Sequence, residues 1–382
     1  MNGKSILLIV YIFVSCFQLS FCQNDNRTNL RRTSEISNEE RISELLIRPA
    51  CFENISNLDS LITIKEVIIP SGGIKLQGEL YLPNAPGPHP AVVIMHGGGN
   101  NYEMLMSAPK YFAPRLAICG YAALLYDKRG TGKSGGVFHE STFNDFVTDA
   151  GNAVNFLSVS NQIDPEKIGV YGGSQGGRLA PIVAIRFPSA SFAISASGPI
   201  GSHAEQANFN MEYALSLRGY ADSTIEQVMP LWRKHHKAWE SMNPDDLQEV
   251  ADEITNKREY IDPMALPNTR QEFLADSNLF FLKPIYNSMS INYYGELANL
   301  KVPWLAFYGE LDPIVNVLES VKNIQNQMAI TGNKDYEIIV FKNVGHSFEN
   351  RNTGENIPTI RVIVNWLNEI ISKTGAGEGS AR

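Results

Sequence analysis

The chain of 382 residues carries 32 Lys and Arg against 40 Asp and Glu, with 43% hydrophobic residues, 30 Gly and 20 Pro. It is too long for a disulfide-stapled mini-domain, too apolar for a disordered chain, and turn-rich without being low in complexity. A formal charge of -8 offers no basic excess for nucleic acid or an anionic membrane surface, so neither is expected as a partner.

Lys4 precedes an apolar run over residues 6–14, and residues 18–22 lead into the polar stretch 23–26. The run is shorter than the roughly 20 residues that a spanning helix needs, and the layout is that of a secretory signal. Residues 1–22 are expected to be cleaved, which gives a secreted or periplasmic protein with no stable membrane insertion. Cleavage leaves Cys51 and Cys119. They are open to pairing in an oxidising compartment, but sequence gives no distance between them, and two buried free thiols are the simpler expectation.

Residues 23–60 read as a polar leader followed by a short helix. Ser37-Asn38-Glu39-Glu40 has capping-box spacing, with Ile42, Leu45 and Leu46 at helical intervals behind it. Strands are then predicted at 62–70, 76–83 and 91–95, a helix at 108–119, a strand at 122–126 and a helix at 142–157. A strand at 168–171, a helix from Gln175 and a strand at 192–196 follow. After the insert come a strand at 304–308, a helix at 315–329, a strand at 336–341 and a helix at 359–371. Short apolar strands alternating with helices specify an α/β fold with a mostly parallel, doubly wound sheet covered on both faces. The core is expected over 61–201 and 301–372, a helical cap over 202–300, where strand patterning vanishes, and a flexible tail over 373–382.

The chemistry concentrates at Gly172-Gly173-Ser174-Gln175-Gly176, a G-x-S-x-G element between an apolar strand and a helix. That context is the nucleophile elbow, whose sharp turn requires small residues two positions before and after the serine. A serine hydroxyl needs a base. Of the seven histidines, His346 lies beyond the last candidate acid, in a loop after a strand, and fits the order Ser, acid, His. The preceding strand ends in Glu310-Leu311-Asp312; Asp312 is the preferred acid and Glu310 the second choice. His96-Gly97-Gly98-Gly99 closes the 91–95 strand. Gly98 and Gln175 are the expected oxyanion-hole N–H donors, with Gly99 as substitute and His96 as a loop-shaping hydrogen bonder.

Two apparent motifs fail. Gly132-Lys133-Ser134 resembles the end of a phosphate-binding loop, but Asp127 stands where its first glycine belongs. His235 and His236 are adjacent, so on a helix they diverge by about 100°, where metal ligands want i, i+4 spacing. No metal and no cofactor are expected. In the insert, Val228, Trp232, His235 and Trp239 share one helical face, and with Phe280, Phe281, Tyr293 and Tyr294 they offer apolar cover. Trp232 and Trp239 are the candidate substrate-pocket residues.

These stretches, with Leu125–Gly136 (LYDKRGTGKSGG) and Ala196-Ser197-Gly198-Pro199, resemble secreted bacterial α/β-hydrolases. The resemblance is to an esterase group with a helical cap, related to the prolyl-oligopeptidase and dienelactone-hydrolase branch. It covers about 60–370, and it departs at Gly173, where relatives often carry His. It implies Ser174, Asp312 and His346 as a triad hydrolysing short-chain acyl esters, with Asp127 and Arg129 structural. The expected partner is a small-molecule or carbohydrate-linked ester. A peptidase, a polysaccharide acyl or feruloyl esterase, and an inactive hydrolase-fold binding protein are the alternatives.

Overall fold

The computed structural model describes residues 39–98, 102–217, 219–241, 245–246, 249–250, 252–253 and 292–376. The order begins with α1 (Glu39–Leu45), short helical turns at Ala50–Asn57 and Leu58–Leu61, and strands β1 (Ile62–Ser71), β2 (Ile74–Pro83) and β3 (His89–Met95). Next come α2 (Tyr102–Ile118), β4 (Ala122–Tyr126), α3 (Phe143–Ser158), β5 (Ile163–Gly173), α4 (Gln175–Arg186) and β6 (Phe192–Ala196). The cap contributes α5 (His203–Leu217) and α6 (Asp222–Ser241). The chain closes with β7 (Trp304–Gly309), α7 (Val317–Thr331), β8 (Tyr336–Phe341) and α8 (Thr359–Ala376).

Among the described residues the strands form one eight-stranded sheet in the order β1-β2-β4-β3-β5-β6-β7-β8. β1 and β2 form an antiparallel hairpin through Gly72 and Gly73, both at positive φ, as a tight two-residue hairpin turn demands. β2 meets β4 antiparallel, and every pairing from β4 to β8 is parallel. Parallel strands covered on both faces must be apolar throughout. Ala91–Met95 and Ala122–Tyr126 are accordingly buried at every position. One face packs on α3, α4 and α7, the other on α1, α2 and α8. The chain turns from one side of β3 to the other between β4 and β5. Such a reversal opens a crevice at the carboxyl ends of β3 and β5, where ligands bind in open α/β sheets.

Several boundaries differ from the sequence reading. α2 begins at Tyr102, six residues before the expected 108, and holds Pro109 and Pro114 within it. β5 starts at Ile163, because the segment before its apolar core pairs with His89 across a register shift. α8 runs to Ala376, past residue 373 where the tail was expected to begin, and residues 377–382 lie outside the described residues. The expectation of free thiols is also corrected. Cys51 and Cys119 are disulfide-bonded, their Cα atoms 5.2 Å apart, and the bond ties the turn at Ala50–Asn57 to the end of α2. Their separation of 68 residues hid a proximity that the α2 packing creates. No helix among the described residues is long and apolar enough to cross a membrane.

Candidate active site

Ser174 stands at the turn between β5 and α4 with φ 52° and ψ -114°. An L-residue adopts that geometry only under constraint. The constraint is steric: a Cβ at Gly172 would sit 2.0 Å from the carbonyl carbon of Gly176, and one at Gly176 would sit 2.5 Å from the carbonyl oxygen of Met95. The Ser174 N–H donates to the Ala196 carbonyl at 2.8 Å, so the elbow is pinned to the end of β6. Although Ser174 occupies the N-cap position of α4, its hydroxyl makes no capping hydrogen bond.

His346 lies in the loop after β8, which turns through Asn343 and Phe348 at positive φ. Its Nδ1 is 2.7 Å from Asp312 Oδ2. A carboxylate accepts, so Nδ1 carries the hydrogen of this bond, and in the neutral imidazole Nε2 then presents its lone pair. Asp312 is fully enclosed, and its Oδ1 accepts from the Ile314 and Val315 N–H groups at 2.8 and 2.9 Å. Three donors thus hold one buried carboxylate. Glu310 takes a different part: its carboxylate accepts from the Asn343 N–H at 3.1 Å, bracing the histidine loop against the end of β7.

Serine and histidine reach one locality through β6. Ala196 accepts the Ser174 amide, and the next residue, Ser197, donates its hydroxyl to the His346 carbonyl at 3.1 Å. β7 closes on the same loop, since a Cβ at Gly309 would lie 2.4 Å from the Gly345 carbonyl oxygen. On the other side, a Cβ at Gly97 would contact the Ser174 Cβ at 3.4 Å, and one at Gly98 the Gln175 side chain at 3.4 Å. The loop after β3 therefore lies along the elbow. His96 donates from Nδ1 to the Gly97 carbonyl at 2.8 Å, and burial pushes its pKa down to about 3, with the nearby charge of Lys128 acting the same way. Gly99 lies outside the described residues.

Residues 86–351 match the serine aminopeptidase S33 family. The chain belongs to that family. This S33 protein is 36% identical over 109 residues to thiohydrolase aneE of Aspergillus aculeatus, a segment covering 28% of this chain and 33% of that protein. It is 30% identical over 113 residues to the quorum-quenching protein AidA of Acinetobacter baumannii, covering 29% and 36% respectively. The chain spans about a third of the length of these relatives. Its α/β-hydrolase fold is shared with a hypothetical protein, PA2218, of Pseudomonas aeruginosa, at TM-score 0.52 and 21% identity over 82% of this chain and 95% of that one. It is shared likewise with an esterase of Pyrobaculum calidifontis, at TM-score 0.50 and 17% identity over 94% and 98%.

Around the candidate site, this S33 family member places residues that its sequence did not single out. Lys128 is buried, and its Nζ donates to Gln175 Oε1 at 2.8 Å and to the Gly97 carbonyl at 3.2 Å. It stands two residues past a wholly buried strand, between Asp127 and Arg129, where nothing in the sequence marks a lysine as enclosed. Arg178, one turn into α4, reaches the Pro199 carbonyl at 3.1 Å and Gln206 of the cap at 2.6 Å. Asn210 of α5 donates to the Pro313 and Ile314 carbonyls at 3.2 and 2.7 Å, so the cap grips the loop that carries Asp312.

The neighbours of Lys128 are scaffolding. Asp127 accepts from the Tyr102 hydroxyl and from the Lys133 N–H, and Ser134 folds back onto the Asp127 carbonyl at 2.6 Å. The phosphate-loop lookalike is therefore a turn wrapped around a carboxylate. Arg129 holds buried Asp149 with two bonds of 2.7 Å and reaches Asp145 at 2.8 Å. In the cap, Trp232 is buried and its indole N–H donates to the Ala207 carbonyl at 3.3 Å, joining α6 to α5. The polar edge of Trp232, the expected pocket residue, is thus engaged within the cap. The side chains of Trp239 and His235 lie outside the described residues, as do Phe280 and Phe281. Tyr293 stacks on Phe143 at 3.9 Å, fastening the end of the insert to α3. Among the described residues, no group of three His, Cys, Asp or Glu side chains converges to hold a metal ion.

Proposed function

We propose that the protein is a serine carboxylic-ester hydrolase acting through an acyl-enzyme. The observation that carries this reading is the buried Asp312–His346 pair at 2.7 Å, on a loop that β6 ties towards the elbow of Ser174, a serine held at positive φ whose hydroxyl makes no capping bond. Ser174 Oγ attacks the ester carbonyl carbon while His346 Nε2 takes its proton. The carbonyl oxygen becomes an oxyanion held by the Gly98 and Gln175 N–H groups, the latter at the positive end of α4. The C–O bond to the alcohol then breaks as His346 returns the proton to the leaving oxygen. Water, activated by the same imidazole, releases the acid and restores Ser174. Asp312 holds the tautomer and stabilises the imidazolium throughout.

A small-molecule or carbohydrate-linked short-chain acyl ester is the proposed substrate class. The relative named a thiohydrolase and the esterase of shared fold support hydrolytic chemistry without fixing the leaving group. The family's aminopeptidase description makes peptide cleavage the second reading. The insert over 202–300 is proposed as the cap that selects substrate. Export is proposed as well. The signal-like residues 1–22 and the Cys51–Cys119 bond both support it, since disulfides persist in oxidising compartments.

The test pairs labelling with turnover. A fluorophosphonate should modify Ser174, located by peptide mass spectrometry, and chromogenic esters of short acyl chains should be hydrolysed faster than aminoacyl anilides or thioesters. Labelling of Ser174 with anilides preferred would make the protein a peptidase. Absence of both labelling and turnover would leave a hydrolase fold used for binding.

A further inference from the structure

The two proposed oxyanion donors come from different segments, Gly98 from the loop after β3 and Gln175 from the first residue of α4. Oxyanion stabilisation depends on those N–H groups meeting one point, about 3 Å from each. Nothing covalent sets their separation, and the loop segment is made of glycines, the residues freest to rotate a peptide plane. A third segment touches both. Lys128, just past the end of β4, donates to the Gly97 carbonyl and to Gln175 Oε1 from a single nitrogen.

On the reading that Ser174 is the nucleophile, we infer that Lys128 is a positioning residue of the oxyanion hole, a buried clamp that fixes the Gly97–Gly98 peptide plane relative to the start of α4. The Gly97 carbonyl and the Gly98 N–H belong to one peptide unit, which is trans, so the two bonds point in opposite directions. Holding the carbonyl on the Lys128 side turns the N–H to the other edge. His96 Nδ1 adds a second donor to the same carbonyl, leaving His96 Nε2 buried without a partner. Two donors on one carbonyl also polarise the peptide and make its N–H a stronger donor.

The burial of Lys128 is the independent sign. Its side chain is among the largest that are fully enclosed, and taking an ammonium out of water is costly. Burial draws its pKa down to about 7, opposed by the carboxylate of Asp149. A methionine would fill the same slot without that cost. The lysine supplies two hydrogen bonds that methionine cannot, and both go to the segments bearing the donors.

The experiment compares the wild type with Lys128→Met and Gln175→Met, the second of which keeps the lysine and the Gln175 backbone N–H while removing one anchor. Chain-length-matched ester kinetics are run beside binding of an alkyl boronic acid, which mimics the tetrahedral intermediate, and of a carboxamide isostere of the substrate. Lys128→Met is expected to lose about 10- to 100-fold in kcat with KM changed by less than about threefold, below the loss seen when a donor itself is deleted. Boronate affinity should fall by the same factor while carboxamide affinity holds. Gln175→Met should show a smaller loss of the same pattern. If Lys128→Met does not fold, Gln175→Met decides: unchanged kcat and boronate affinity there overturn the clamp. A folded Lys128→Met that keeps kcat, or that loses carboxamide and boronate binding equally, overturns it too. A wild type that neither turns over esters nor reacts at Ser174 with fluorophosphonate rejects the nucleophile reading, and the clamp with it. An active wild type with an equally active Lys128→Met rejects the clamp alone.

Discussion

The sheet core and the cap spend their polar residues in different ways. In the core, charges are buried and interlocked: Arg129 spans Asp145 and Asp149, Asp149 also accepts from Ser71 at 2.5 Å, and Lys128 is enclosed beneath the site. In the cap, Lys234 pairs with Glu249 and Glu253 on the surface at 2.7 and 2.9 Å. The cap touches the catalytic segments through a few directed bonds, Arg178 to Gln206 and Asn210 to the Asp312 loop. A buried network fixes geometry because removing one partner strands a charge in a poor dielectric, whereas exposed pairs are replaced by water. The core thus fixes the geometry around Ser174, and the surface pairs of the insert constrain theirs far less.

The comparison breaks most sharply at the site itself. Ser174→Ala is expected to lower ester turnover by roughly 10⁴-fold or more, since triad members act as a unit. Retention of activity within about tenfold of wild type would reject the nucleophile. Asp312→Asn should lose on the order of 10³ to 10⁴ in kcat with the fold intact, because the imidazole would lose its orienting carboxylate. Glu310→Gln, which loosens a loop contact, should cost far less, and the reverse ranking would transfer the acid role.

The contrast in charge burial is tested by unfolding. Arg129→Met leaves Asp149 enclosed and unpaired, and should destabilise the protein by about 3 to 5 kcal/mol in urea titrations. Lys234→Met should move the same transition little. Equal effects would erase the distinction between the two regions. Trp232→Ala opens a hole between α5 and α6, and a loss of about 3 kcal/mol is expected on the cap's transition. The acyl-length profile decides whether that ring also shapes the pocket: an unchanged profile with lowered stability makes it packing alone, and a shifted preference gives it both roles.

The last effect is a slope. Burial holds the His96 pKa near 3 in the folded protein, against 6.5 when unfolded. As pH falls from about 6.5 towards 3, the unfolded chain binds a proton that the folded chain refuses. Stability therefore drops with falling pH, by up to about 1.4 kcal/mol per unit from this group. His96→Asn should flatten the dependence of unfolding free energy on pH by about one proton across that window. An identical slope in wild type and variant would mean that His96 titrates normally.

The core was legible because its signals are local. Continuous apolar runs bounded by turns gave β4, β6 and β8 to the residue, and the small residues around Ser174 announced a turn that nothing larger can make. Asp312 and His346 could be chosen because each follows a strand whose end is fixed by topology. Lys128, Arg178 and Asn210 were illegible for the opposite reason. Their roles are defined by partners 31, 21 and 103 residues away, and a single Lys, Arg or Asn in sequence carries no mark of burial. The disulfide hid likewise, since its geometry depends on where α2 comes to rest.

That disulfide changes what continuity of the chain means for this protein. The loop it closes contains β1, β2 and β3 together with the Gly97–Gly98 segment. A protease cutting once anywhere between residues 51 and 119 would sever the backbone and still leave two pieces joined as one molecule. The nicked species would run as an intact chain without reductant and as two fragments with it. The Gly97–Gly98 segment would stay tethered to the elbow, so a cut on this side would leave joined what it would separate in a reduced protein.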